Sequence, residues 1–392
     1  MLKKIASLIL ICLTINAYAQ KGIFKSGEVS PKEYTEKIQY ELIRGHIFIN
    51  VQIDNKTYRF LFDTGSPTII SPKIAGDFEI IEQSELYDAS GNVIEATYFK
   101  IPEMTLGNIT YQNFAACQLE LKTYDILKID DILGGNLTSK STWGFDLENE
   151  TITTSNELNT ELVKDFKKIK TKLLVTGTPT ISVNYFGAIK ENNVYFDTGF
   201  DGFFYINKDV FEKLLGKGLV TKKAEGNGLI ATTAFGNEEG TTYAIGLEMN
   251  LGKNVLQPFI SDVSLGDSES NMGSEWLAYY HTIISGNKLY FKKNKVDLEQ
   301  KYVSKGIRVN IDEKGLYVSF IWNNSEAQQK GIKVGDRILS LNNQTVNPEN
   351  KQQQENLIEE FVNSEQSVSL EINKKGNVIQ LNNEIILDIS SL

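Results

Sequence analysis

The sequence predicts a mainly β protein built as two similar lobes in one chain, followed by a small α/β module. Three observations predict it. Asp-Thr-Gly stands at residues 63–65 and again at 197–199, each time behind a short apolar run, Phe60-Leu61-Phe62 or Val194-Tyr195-Phe196. Ahead of the first copy Ile47, Ile49 and Val51 alternate with polar residues, and ahead of the second Ile181, Val183 and Tyr185 do the same, the pattern of a half-buried strand. Residues 302–392 then change character, with short strands, two short helical stretches and glycine turns.

The start of the chain stands apart. Lys3 and Lys4 precede an apolar run, and Ala17-Tyr18-Ala19 has the small-x-small form of a cleavage site, so residues 1–19 read as a secretory signal with processing expected at Ala19-Gln20. That implies an exported protein, periplasmic or extracellular, or associated with the outer surface. Cys12 fits a lipid-bearing cysteine poorly, because Ile11 precedes it where a small residue is usual. Nothing later supplies the ~20 apolar residues of a membrane span. Removal of the signal leaves Cys117 as the only cysteine, so stability must come from ordinary cores and not from an intrachain disulfide. With 50 acidic against 40 basic residues, nucleic acid is a poor partner. His46 and His281 are the only histidines, too few for a histidine metal cluster, and no metal or organic cofactor is expected.

The two halves keep step along the chain. Asp63 and Asp197 lie 134 residues apart (197 minus 63), and Ile47 and Ile181 share that offset (181 minus 47). A polar turn is expected in each half, at Asp54-Asn55-Lys56 and at Glu191-Asn192-Asn193, making a hairpin that delivers each aspartate to a strand end. Downstream come Ile132-Leu133-Gly134-Gly135 and Asn271-Met272-Gly273-Ser274, each followed by a closing strand, in "WGFDLENETIT" from Trp143 and "HTIISGNKLYF" from His281.

With these paired motifs residues 38–297 resemble the aspartic proteases, whose two lobes each carry Asp-Thr/Ser-Gly and a later apolar-apolar-Gly. The resemblance implies the bilobal aspartic-protease β-barrel fold, with lobes over residues 20–160 and 161–297 and Asp63 and Asp197 as the catalytic pair. The chemistry suits the residues: one carboxylate takes a proton from water while a carboxylic acid donates one to the scissile carbonyl. Two carboxyls in contact share a proton and titrate as a pair. Gly65 and Gly199 let backbone N–H groups approach them. In the family's pattern Thr64 and Thr198 tie the two loops together, and Ser66 offers a hydroxyl to the first aspartate. Phe200 departs from that pattern, denying Asp197 a hydroxyl, and Asn271 departs by replacing an apolar residue.

A peptide cleft also needs flaps that exclude water. Two turns at matching offsets are candidates, Ser90-Gly91-Asn92 and Gly226-Asn227-Gly228, 28 and 29 residues after the aspartates (91 minus 63, 226 minus 197). A helix is expected to start after Ser71-Pro72, and another, capped by Asn207, over "KDVFEKLLGKG". Residues 153–178, rich in Thr, Lys and Asn, read as the connection between lobes.

In the last segment, "GLYVSFIWNNSEAQQKGIKVGDRILSLNNQTV" from Gly315 resembles bacterial PDZ domains. The resemblance implies that residues 302–392 form a small α/β module that binds an extended peptide or peptide C-terminus as an added strand, with a binding loop at Gly306-Ile307-Arg308-Val309. Taken together, the sequence points to an aspartic endopeptidase acting on polypeptides. The alternative is a weak or inactive homologue that has kept both folds as a peptide-binding scaffold.

Overall fold

The computed structural model describes residues 9–10, 13–15, 22–74, 78–88, 93–120, 129–233, 237–264, 269–373 and 376–392, and it is mainly β. The expected processing site at Ala19-Gln20 lies outside these residues. Near the start of the chain, Ile9–Leu10 pairs with Thr232 and Thr233, and Leu13–Ile15 with residues 86–88. No helix among the described residues is long and apolar enough to cross a membrane.

The first lobe is a ten-stranded sheet. The strands His46–Ile53 and Lys56–Phe62 form the expected hairpin around Asp54 and Asn55, both in the left-handed region that short polar residues tolerate. The second lobe repeats it with Pro179–Tyr185 and Ile189–Phe196, but the turn falls at Phe186-Gly187 and not at Glu191-Asn192-Asn193. Those three polar residues lie within a strand. Glu191 can be buried there because its carboxylate accepts from the Tyr185 hydroxyl (2.6 Å) and from Asn207 Nδ2 (3.0 Å). A register shift between Ile181 and Val183 absorbs the difference in hairpin length.

A six-stranded sheet joins the lobes. At its centre Thr142–Asp146 of the first half pairs with Tyr280–Ser285 of the second, so the two closing strands read from the sequence are direct neighbours. The expected interlobe connection is partly structured: Thr153 to Ser155 finish a strand of this sheet, and Lys167–Lys170 form its edge. One hydrophobic core spans both lobes, with Phe62 edge-on to Trp143 (4.7 Å) and Phe145 (5.4 Å). Each such buried side chain contributes roughly 1.5–3 kcal/mol.

Asn207 caps the helix Lys208–Gly216 as expected, its Oδ1 accepting from Val210 N–H at 2.8 Å. After Ser71-Pro72, by contrast, the described residues make only a turn, Ile74 N–H to Ser71 carbonyl, before the strand Glu79–Asp88. The side chain of Asp131 holds this turn, accepting from Ser71 N–H.

The second lobe's sheet does not stop at the lobe. Lys223–Thr233 pairs with Gly315–Trp322 of the C-terminal module, and Ile307–Asp312 closes the sheet beyond it. A separate core beneath this junction packs Ile230, Ala244 and Ile260 of the lobe against Phe320, Trp322, Leu387 and Ile389.

Burial raises the Asp131 carboxyl to about 8 from its ordinary 3.8. A carboxyl whose folded pKa lies above its unfolded value favours the fold fully below the unfolded value and loses that contribution as pH rises through the folded one. The melting temperature should therefore fall as pH rises from about 4 to about 8. Asp131→Asn, which keeps the acceptor for Ser71 and cannot ionise, should flatten part of that fall in thermal scans.

Candidate active site

Each aspartate sits just beyond the second strand of its hairpin, on a backbone held from below by the later glycine segment. Asp131–Leu133 runs parallel to residues 60–62, and Asn271–Met272 runs parallel to residues 195–196. Asp63 N–H then donates to Leu133 O (3.1 Å), and Asp197 N–H to Met272 O (2.9 Å). The glycines that follow have no room for a side chain. A Cβ on Gly134 would lie 2.1 Å from the Pro67 carbonyl carbon, and one on Gly273 would lie 2.3 Å from Gly202 O.

The two loops lock to each other through their threonines. Thr64 Oγ1 donates to Phe196 O (2.7 Å) and accepts from Thr198 N–H (3.1 Å), while Thr198 Oγ1 donates to Phe62 O (2.8 Å) and accepts from Thr64 N–H (3.1 Å). Both threonines are buried. Every group in this exchange has a partner only while the lobes stay in register.

That register brings the carboxyls together. A Cβ on Gly65 would fall 2.2 Å from Asp197 Cγ, and one on Gly199 would fall 2.4 Å from Asp63 Cγ, so each glycine leaves the space that the opposite carboxyl fills. Asp63 Oδ1 accepts from Gly65 N–H (2.8 Å) and Ser66 N–H (3.2 Å); Asp197 Oδ1 accepts from Gly199 N–H (2.9 Å). Both aspartates are fully buried. Burial, and after it the negative charge of Asp197, hold the Asp63 carboxyl well above the usual carboxylate range.

The two departures read from the sequence turn out to be linked. Phe200 is wholly buried, edge-on to Tyr205 at 5.0 Å and against Gly202 and Gly273, so it serves packing. Asn271, also wholly buried, donates from Nδ2 to Asp197 Oδ2 at 2.7 Å. Asp197 therefore does have a side-chain donor, from a position where the sequence offered only a missing apolar residue. In the first lobe the Ser66 hydroxyl pulls the Asp63 pKa down without making an aligned hydrogen bond.

Other polar residues that sequence reasoning passed over also brace the loops. Asn136 accepts from both Thr68 N–H and Thr68 Oγ1 (2.8 Å each) and donates to Ala115 O (2.9 Å). Ser274 Oγ lies 2.6 Å from Gly45 O and 3.0 Å from Phe200 O, linking the second lobe's glycine segment to the first lobe's opening hairpin. Their only sequence signal is a small polar residue just past each glycine.

The flap positions divide. Ser90, Gly91 and Asn92 lie outside the described residues, between the strands Glu79–Asp88 and Val93–Leu106, which pair as a hairpin. Gly226, Asn227 and Gly228 are not a turn at all: they lie inside Lys223–Thr233, opposite Trp322, Ile321 and Phe320 of the C-terminal module. Glycine in a strand marks close backbone approach. A Cβ on Gly226 would lie 2.3 Å from the Phe320 ring, and one on Gly228 would lie 2.2 Å from Ser319 O. The strand Lys223–Thr233 pairs instead with Asn237–Leu247 as a hairpin.

The proposed loop in the C-terminal module is likewise mostly strand. Gly306 (φ 82°) stands just before a strand, but Ile307, Arg308 and Val309 open that strand, Ile307–Asp312, with Ile307 and Val309 in the module's core and Arg308 lying over the Phe320 ring at 4.4 Å. Among the described residues this strand pairs only with Gly315–Trp322, which leaves its other edge without a strand partner.

Thr64→Val would strip Phe196 O and Thr198 N–H of their buried partner, at roughly 1–3 kcal/mol for each group left unpaired. Urea unfolding should show a loss of that order, and the double variant with Thr198→Val should lose less than the sum of the two single changes.

Comparison with known proteins agrees with the two-part architecture. Residues 49–137, which include Asp63, match a family described as aspartyl protease, and residues 296–373 match the PDZ domain family. No curated protein matches the chain. Among solved structures, the Basic 7S globulin from soybean is similar over 68% of this chain and 98% of its own, with a TM-score of 0.42 and 8% sequence identity. The two family matches place an aspartyl protease domain over residues 49–137 and a C-terminal PDZ domain over residues 296–373.

Proposed function

We propose that the chain is an aspartic endopeptidase in which Asp63 and Asp197 together activate water against a peptide bond. The observation that carries this is the reciprocal fit in which each carboxyl fills the space left by the other lobe's glycine. Two carboxyls so placed cannot both ionise readily, so one keeps a proton that the other lacks. The ionised carboxylate takes a proton from water as its oxygen attacks the scissile carbonyl, and the protonated one donates to the carbonyl oxygen. Proton transfer to the amide nitrogen then lets the tetrahedral intermediate collapse to acid and amine, which restores the pair.

The substrate on this reading is an extended polypeptide, and the PDZ domain takes a peptide segment or C-terminus along the open edge of Ile307–Asp312. Asp63→Asn and Asp197→Asn should each lower cleavage by roughly 10²–10⁴-fold or more, since each removes one half of the proton exchange. The double variant should be scarcely worse than either single one. A peptide library incubated from acidic to neutral pH and read by mass spectrometry tests this. Cleavage surviving in both single variants would remove the pair as catalyst, and binding without cleavage in the wild type would favour the scaffold alternative.

Export is part of the same proposal, supported by Lys3, Lys4, the apolar run and Ala17-Tyr18-Ala19. N-terminal sequencing of the exported protein should then begin at Gln20, and a mature chain starting at Met1 would sink it.

A further inference from the structure

Asn271 and Ile132 hold the same place in the two lobes. Ile132 pairs with Leu61, two residues before Asp63, and Asn271 pairs with Tyr195, two residues before Asp197. Ile132 is buried among apolar side chains. Asn271 is equally buried, and its side chain is turned onto the aspartate. A wholly buried amide at a position that accepts an aliphatic residue in the sister lobe is costly unless its hydrogen bond matters.

We propose that Asn271 is a positioning residue for the aspartate pair: its amide donor takes the place of the hydroxyl that Phe200 lacks, holds Asp197 as the ionised member, and leaves the shared proton on Asp63. This rests on the reading of the two aspartates as a working pair. An amide N–H to a carboxylate at 2.7 Å is a charge-assisted bond, which favours the ionised over the protonated acceptor. Were Asp197 the protonated member, the amide would gain by turning Oδ1 toward it to accept. In the arrangement present, Asn271 Oδ1 meets no partner, a cost that only a strong bond from Nδ2 offsets. Asp63 has no equivalent amide donor: the Ser66 hydroxyl beside it lowers its pKa but makes no aligned hydrogen bond to Oδ2. The raised Asp63 carboxyl is consistent with its holding the proton.

Among the described residues, the charge acting on Asp63 is that of Asp197. Near Asn271, Glu191 is bonded to Ser270 and Tyr185, and Glu269 interacts with Glu191. Tyr195 and Tyr205 reach Asn271 through backbone pairing.

The assignment can be read without relying on turnover. In full-length protein carrying ¹³C-carboxyl aspartate, with resonances assigned through Asp63→Asn and Asp197→Asn, Asp197 should be the first of the pair to ionise. Asn271→Leu should raise that lower titration by about one to two pH units, the size expected for one hydrogen bond to a charged group. In kcat/KM profiles the acid limb should move up by the same amount, so activity falls about tenfold or more below the wild-type limb and recovers above the shifted one. A loss equal at every pH, or an unmoved titration in folded Asn271→Leu, would overturn the proposal. Should the leucine variant fail to fold, Asn271→Met, with its more adaptable side chain, carries the same expectations. If the wild type cleaves no peptide while Asn271→Leu still raises the Asp197 titration, the endopeptidase reading falls and this one stands. If cleavage is robust and neither titration nor acid limb moves, the reverse holds.

Discussion

The reciprocal exchange between Thr64 and Thr198 is the constraint on which the rest of the site depends. Each hydroxyl donates to a carbonyl of the opposite lobe and accepts an N–H from the opposite loop, all out of contact with water. Buried polar groups cost far more unpaired than they return when paired, so the exchange penalises any slip between lobes more than it rewards closure. With that register fixed, Gly65 faces the Asp197 carboxyl and Gly199 faces that of Asp63. The bridging sheet and the shared core supply most of the cohesion, and the threonines set its alignment.

On this two-fold frame the electrostatics are not two-fold. Both aspartates have backbone donors on one oxygen, but only Asp197 has a side-chain amide on the other. The space of a hydroxyl after Gly199 is given to Phe200, whose ring packs on Tyr205, Gly202 and Gly273 and adds to the apolar floor of the second loop. The donor is then delivered from the neighbouring strand. Packing and hydrogen bonding have been redistributed between two positions whose changes make sense only as a pair.

The junction with the C-terminal module follows from the same close-contact logic. Gly226 and Gly228 allow the second lobe's long hairpin to lie against Gly315–Trp322, and Asn227, Asn323 and Glu225 tie the polar ends through Asn227 Nδ2 to Asn323 Oδ1 (3.2 Å) and Asn323 Nδ2 to Glu225 Oε1 (2.9 Å). The strand Ile307–Asp312 of the PDZ domain and the second lobe's long hairpin therefore belong to one hydrogen-bonded sheet.

Much was legible in sequence because it is periodic or local. The repeated strands, the Asp-Thr-Gly pair, the later glycines, the Asn207 cap and the PDZ pattern each rest on alternation, spacing or a single residue's backbone preference. What the sequence left open, or suggested wrongly, depends on contacts between distant segments. Glu191-Asn192-Asn193 looks like a turn until Tyr185 and Asn207 are seen to satisfy Glu191 inside a strand. Gly226-Asn227-Gly228 looks like a flap tip until Phe320 and Ser319 are found where its side chains would be. Asn271 looks like a lost apolar residue until the fold turns it onto Asp197, 74 residues earlier in the chain. By itself the sequence determined which residues could do the chemistry, since residue type and spacing are written in it. Tertiary structure alone decided which of them meet, because a buried polar group finds its partner by folding and not by position in the chain.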